Sequence, residues 1–128
     1  MAFTGSITTR FVGPTGTVEN TVSKSSSASI SVDETIANGQ TAFQINVAID
    51  VSAVKAFYIC ADQNVTVKTN SSGSPDDTLN LIANEPYAWH NTSLSAFLLD
   101  TDVTAIFVAN ASGSAAALTL RVIQDASP

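Results

Sequence analysis

Helix surfaces are normally built from Glu, Lys, Gln and Arg, and this chain has almost none of them. It holds 3 Glu, 3 Lys and 2 Arg against 16 Ser, 15 Thr and 9 Asn. The long unbranched side chains lose little rotamer freedom in a helix. Ser, Thr and Asn instead compete with the helical backbone for hydrogen bonds and favour caps, turns and strands. The aliphatic residues push the same way, since 12 Val and 9 Ile exceed 7 Leu and β-branching suits a pleated surface. The hydrophobic share is 45%, enough for a core, and 128 residues is the length of one domain. The composition predicts an all-β chain.

The pattern along the chain agrees. In residues 43–50, Phe43, Ile45, Val47 and Ile49 alternate with Gln44, Asn46 and Asp50, the two-residue period of a half-buried strand. With residues 28–36 before it and Asn38-Gly39 between, the two segments read as a hairpin. Val65 and Val67 alternate with Thr66 and Lys68, and Ala116, Leu118, Leu120 and Val122 alternate with Ala117, Thr119 and Arg121. Residues 54–61 (VKAFYICA) and 103–109 (VTAIFVA) are apolar on nearly both faces, as in strands covered on two sides by a sandwich or another subunit. Weaker strands fall near 5–12, 16–22, 78–83 and 86–90, and the Ser-rich stretch 23–31 reads as a flexible or edge segment. Residues 94–99 (LSAFLL) are the one place for a helical turn. The sum is an antiparallel β-sandwich of about eight to ten short strands.

Charge excludes several partners. Eleven acidic residues outnumber five basic ones, a formal charge of −6. Phosphate neutralisation needs clustered Lys and Arg, so nucleic acid is not an expected partner, nor is an anionic membrane surface. No apolar run approaches the roughly 20 residues that span a bilayer, and Met1-Ala2-Phe3-Thr4-Gly5 has no secretory character. Cytoplasmic synthesis follows as the expectation. A single Cys, Cys60, excludes an internal disulfide, and its apolar run reads as that of a small buried side chain rather than a reactive thiol.

No constellation points to catalysis. His90 is the only histidine, and no G-x-S-x-G nucleophile elbow accompanies it. Asp76-Asp77 and Asp100-Thr101-Asp102 lack the register of a calcium loop and read as turn caps; no His/Cys cluster suggests zinc. The sequons at Asn64, Asn70, Asn91 and Asn110 are what so much Asn, Ser and Thr produces by chance. Tyr87 and Trp89 sit in the densest aromatic patch (PYAWHN) and suit an interface, a sugar platform or simply one core-facing strand side. No catalytic, cofactor or metal residue is assigned, and the chain is expected not to be an enzyme.

The order of segments resembles one family. A Met-Ala-Phe start runs directly into a strand, followed by residues 58–70 (YICADQNVTVKTN), a Ser/Gly/Pro loop, Asp77-Thr78-Leu79-Asn80-Leu81 and Pro86-Tyr87-Ala88-Trp89. Residues 103–110 and 115–125 close the chain as a strand pair. This is similar to the small jelly-roll decoration, or cement, proteins of tailed-bacteriophage capsids. The resemblance implies a jelly-roll-like sandwich that assembles as a homotrimer and clamps neighbouring major capsid proteins from outside the virion. It implies no catalytic residue. Residues 1–25 would then be an N-terminal arm contacting neighbouring subunits or the shell, and 26–128 the sandwich domain. Interface candidates are Phe3, Ile7, Phe11, Phe57, Tyr87 and Trp89. A carbohydrate-binding or adhesin module and a phage tail or fibre component are the alternatives.

Overall fold

Ten strands and one short 3₁₀ turn make up the computed structural model, which describes residues 2–125. In chain order they are β1 (Phe3–Gly13), β2 (Gly16–Ser26), β3 (Ala28–Ile36), β4 (Phe43–Ile49), β5 (Val54–Ala61), β6 (Val65–Thr69), β7 (Thr78–Leu81), β8 (Tyr87–His90), β9 (Val103–Ala109) and β10 (Ala116–Gln124), with the 3₁₀ turn Val51–Ala53 between β4 and β5. All pairings are antiparallel. β3 to β10 form two four-stranded sheets, ordered β3-β10-β5-β8 and β4-β9-β6-β7. Successive strands alternate between the sheets except β6 and β7, which pair as a hairpin in the second sheet, and the order is the double Greek key of an eight-stranded jelly roll. β1 and β2 stand apart as a two-stranded ribbon.

Inward residues of both sheets meet in one core. Phe57, Ile59, Leu118, Leu120 and Val122 come from the first sheet and Val67, Val103, Ile106 and Val108 from the second, all nearly inaccessible to water. The alternation read in residues 64–69 and 116–122 is the alternation observed.

The expected hairpin of 28–36 with 41–50 does not form. β3 pairs with β10 and β4 with β9, in opposite sheets. Asn38-Gly39 does turn, with Gly39 at φ +91°, but the turn is docked on another loop: Gly39 N–H donates to Asn110 O at 2.8 Å and Asn110 N–H donates to Gln40 O at 2.8 Å. The six residues 37–42 are enough to cross the roughly 10 Å between packed sheets, where a two-residue link would have forced pairing. The Ser-rich stretch is ordered strand, ending β2 and opening edge strand β3. Residues 94–99 form an irregular loop rather than a helical turn, with Leu99 buried and Phe97 packed on the core.

Both strands that read as apolar on two faces find their second cover within the chain. On β5 the outward Ala56 and Tyr58 lie beneath the β1–β2 ribbon with Gly5, Ile7 and Ile123. On β9 a register shift opposite residues 46–49 changes which residues face inward, and outward Phe107 lies between Gln44 and Lys68 on the flanking strands. Long polar side chains cover such a ring with their apolar stems.

Candidate functional site

The ribbon contributes no side chain to the core cluster between the two sheets. Its register is unbroken from Phe3↔Ser26 to Gly13↔Gly16, and the Pro14-Thr15 turn closes at Gly16, whose φ of +127° suits a residue without Cβ. Pairing sorts the side chains onto two faces. One carries Phe3, Gly5, Ile7, Thr9 and Phe11, opposite Ser26, Lys24, Val22, Asn20 and Val18. The other is a ladder of hydroxyls: Thr4 with Ser25 at 2.8 Å, Ser6 with Ser23 at 2.9 Å and Thr8 with Thr21 at 2.9 Å. Arg10 and Glu19 continue it as an exposed ion pair at 3.8 Å.

Near its base the apolar face rests on the outside of the first sheet, crossing β10, β5 and β8. The seat is close at Gly5, where an added Cβ would lie 2.8 Å from Ile123 Cγ1. Ile7 and Val22 are half-buried there. A cleft of about 890 Å³ remains between ribbon and sheet, lined among others by Thr9, Arg10, Tyr58, Glu85 and Ile123. Eleven residues of strand span about 36 Å, whereas four strands lie about 14 Å apart from first to last. The ribbon therefore outruns the sheet. Its outer half carries Phe11, Val12 and Val18 at 68%, 66% and 67% exposure.

Beside this overhang lies the loop between β8 and β9. Asn20 and Val22 share a groove of about 420 Å³ with Trp89, His90 and Leu94. The apolar residues of the loop divide. Phe97 turns inward, stacking on Trp89 at 4.3 Å and meeting Phe57 edge-on at 5.1 Å, while Leu94 stands fully in solvent and Leu98 is more than half exposed.

The sequence-predicted residues separate accordingly. Phe3, Ile7 and Phe11 lie on the apolar face of the ribbon, Phe11 at its overhang. Phe57 is 2% exposed and fills the core, so it offers no surface to a partner. Tyr87 and Trp89 follow the core-facing reading: Tyr87 Oη accepts from Leu98 N–H at 3.1 Å and Trp89 Nε1 donates to Ser95 O at 2.9 Å. Burial raises the Tyr87 phenol above its ordinary value, partly opposed by the Leu98 N–H. Tyr58 is raised by burial and by its neighbour Cys60. Cys60 itself is half-buried and faces outward rather than into the core. Val12, Val18, Leu94 and Leu98 lie outside the interface candidates read from the sequence; the signal they carry there is large apolar side chains in segments interrupted by Gly, Pro and Ser.

Other candidates hold structure. His90 Nδ1 pairs with Thr92 Oγ1 at 2.9 Å within the turn that follows β8. Asp50 and Asp102 accept from Ser52 and Val51 N–H, Asp77 from Asp100 N–H, and Asp76 from the Asn70 amide. Among the described residues no group of three or more His, Cys, Asp or Glu side chains is placed to hold a metal, and no helix is long and apolar enough to cross a membrane. Asn64 caps Ala83, Asn70 bridges to Asp76 and Asp102, and Asn110 is fully buried. Comparison with protein-family models, with curated proteins and with solved structures finds no match to this chain.

Proposed function

We propose that this protein decorates and stabilises a bacteriophage capsid, binding the outside of the major capsid protein lattice as a homotrimer. The observation that carries the reading is the ribbon. A sandwich whose core is complete extends an amphipathic hairpin past its own sheet and leaves Phe11, Val12 and Val18 bare at the end. Exposed apolar side chains grouped on a projecting element mark a surface meant to be covered. A protein that binds only the assembled shell stabilises it by mass action, and three-fold repetition turns modest contacts into avidity. The acidic surface keeps such a protein off packaged nucleic acid. Made in the host cytoplasm, it resides on the outer surface of the virion.

The carbohydrate-binding alternative has less support. Jelly rolls also serve lectins, but the Trp89 ring is stacked on Phe97 and its N–H is engaged by Ser95. The decisive experiment is co-sedimentation of the purified protein with expanded shells of the major capsid protein of the encoding phage. Saturable binding in multiples of three per lattice site is expected. Absence of binding to expanded shells overturns the reading.

A further inference from the structure

The proposed role leaves open what covers the overhang of the ribbon, and three observations point to one occupant. The first is charge. Residues 3–26 carry Arg10, Lys24 and Glu19, a net +1, whereas residues 27–125 carry ten acidic and three basic side chains, a net −7. Two sandwiches meeting face to face would join like signs, whereas the ribbon tip, neutral through the Arg10–Glu19 pair, meets another copy's acidic sandwich without that repulsion. The second is that each copy bears bare apolar side chains at two places: Phe11 cross-strand from Val18 on the ribbon, and Leu94 and Leu98 along the loop after β8. The tip of a copy leaves its own leucines in solvent. Two different patches on one molecule make a head-to-tail contact, which closes into a ring when the rotation allows.

The third is edge protection. The jelly-roll edges are guarded: β7 and β8 are four residues long, the β4 pairing is irregular and β3 carries Asp33 and Glu34. β1 runs 11 residues without irregularity and with Arg10 as its one charge. Strands left so open are paired or covered in their working state.

We infer that the ribbon tip is the self-association element of this protein: Phe11 and Val18 of one copy seat on Leu94 and Leu98 of a second copy, and three such contacts close the ring. This deepens the homotrimer reading and rests on it.

The test uses light scattering at micromolar concentration on the full chain, on Phe11→Asp/Val18→Asp and on Leu94→Asp/Leu98→Asp. The wild type is expected at three chain masses. Each double variant is expected at one, with an unchanged far-UV spectrum. Mixing the two variants should restore a two-chain species, because one intact tip then meets one intact leucine patch. A wild type at one chain mass overturns the inference, as do variants that keep the wild-type mass. Phe11→Ser/Val18→Thr, which retains β-forming side chains, replaces the first variant if it fails to fold. Shell co-sedimentation separates this inference from the decoration reading. A variant that stays three-chain but no longer binds shells assigns the tip to the shell, overturning the inference and keeping decoration. Tip-dependent trimers from a wild type that never binds shells sustain the inference while decoration fails.

Discussion

Asn110 ties three segments together with one amide. Its Nδ2 donates to Ile36 O at 2.9 Å and Ser114 O at 2.8 Å, and its Oδ1 accepts from Ser112 N–H and Oγ. The residue is 0% exposed, so removing the amide strands the buried Ile36 carbonyl and gives up three part-buried bonds to Ser112 and Ser114. Asn110→Ala should cost about 2–4 kcal/mol in denaturant unfolding, against less than about 1 kcal/mol for Asn64→Ala, whose single bond to Ala83 N–H is exposed. Equal effects from the two would contradict this account. In the sequence Asn110 is one sequon among four. Its two bonds from Ser112 make an ordinary local turn, and the buried partner that sets it apart, Ile36 O, lies 74 residues upstream. Phe57 was similarly ambiguous. Alternation places it on one face of its strand, but only the second sheet decides which face is the core.

Period-two alternation made most strands legible, since a half-buried strand writes its inside and outside into consecutive residues. Pairing was not legible: residues 28–36 and 43–49 are adjacent in sequence yet belong to opposite sheets. The covering of β5 was half legible. Its two apolar faces announced a second cover, and the cover is the chain's own N-terminal ribbon. That seat is testable at Gly5. A Cβ there meets Ile123 Cγ1 at 2.8 Å, and overpacking a close contact costs about 1–3 kcal/mol. Gly5→Ala should lower hydrogen-exchange protection across residues 3–9 while the sandwich amides stay protected. Combining it with Ile123→Ala should recover part of the loss as a coupling energy in the double-mutant cycle. Deleting residues 1–26 removes Ile7 and Val22, half-buried and together worth about 2 kcal/mol. The remaining jelly roll should keep its far-UV spectrum and a cooperative, lower melting transition. A molten product would show that the ribbon belongs to the core.

At the scale of the whole molecule, the two tyrosines report on the two layers of packing. Tyr58 lies outside the first sheet at the ribbon cleft, and Tyr87 lies inside, against Phe57 and Phe97. Both phenols are raised above the ordinary 10.0, each chiefly because burial disfavours the phenolate. A raised phenol means that the unfolded chain loses this proton at lower pH than the folded chain. The associated stability is therefore fully present below pH 10, the unfolded value, and is lost as pH climbs through the folded values. Absorbance at about 295 nm should show less tyrosinate at pH 10 than the half ionisation of free tyrosine, and then a rise accompanied by loss of near-ultraviolet dichroism from Trp89. Tyr58→Phe leaves the inner phenol in place. It should halve the absorbance amplitude while keeping the collapse of the core signal at the same pH. If that variant instead withstands the alkaline transition, ionisation under the ribbon, and not in the core, opens the molecule first. Half ionisation of both tyrosines at pH 10 would mean that neither phenol is shielded in solution as the fold places it.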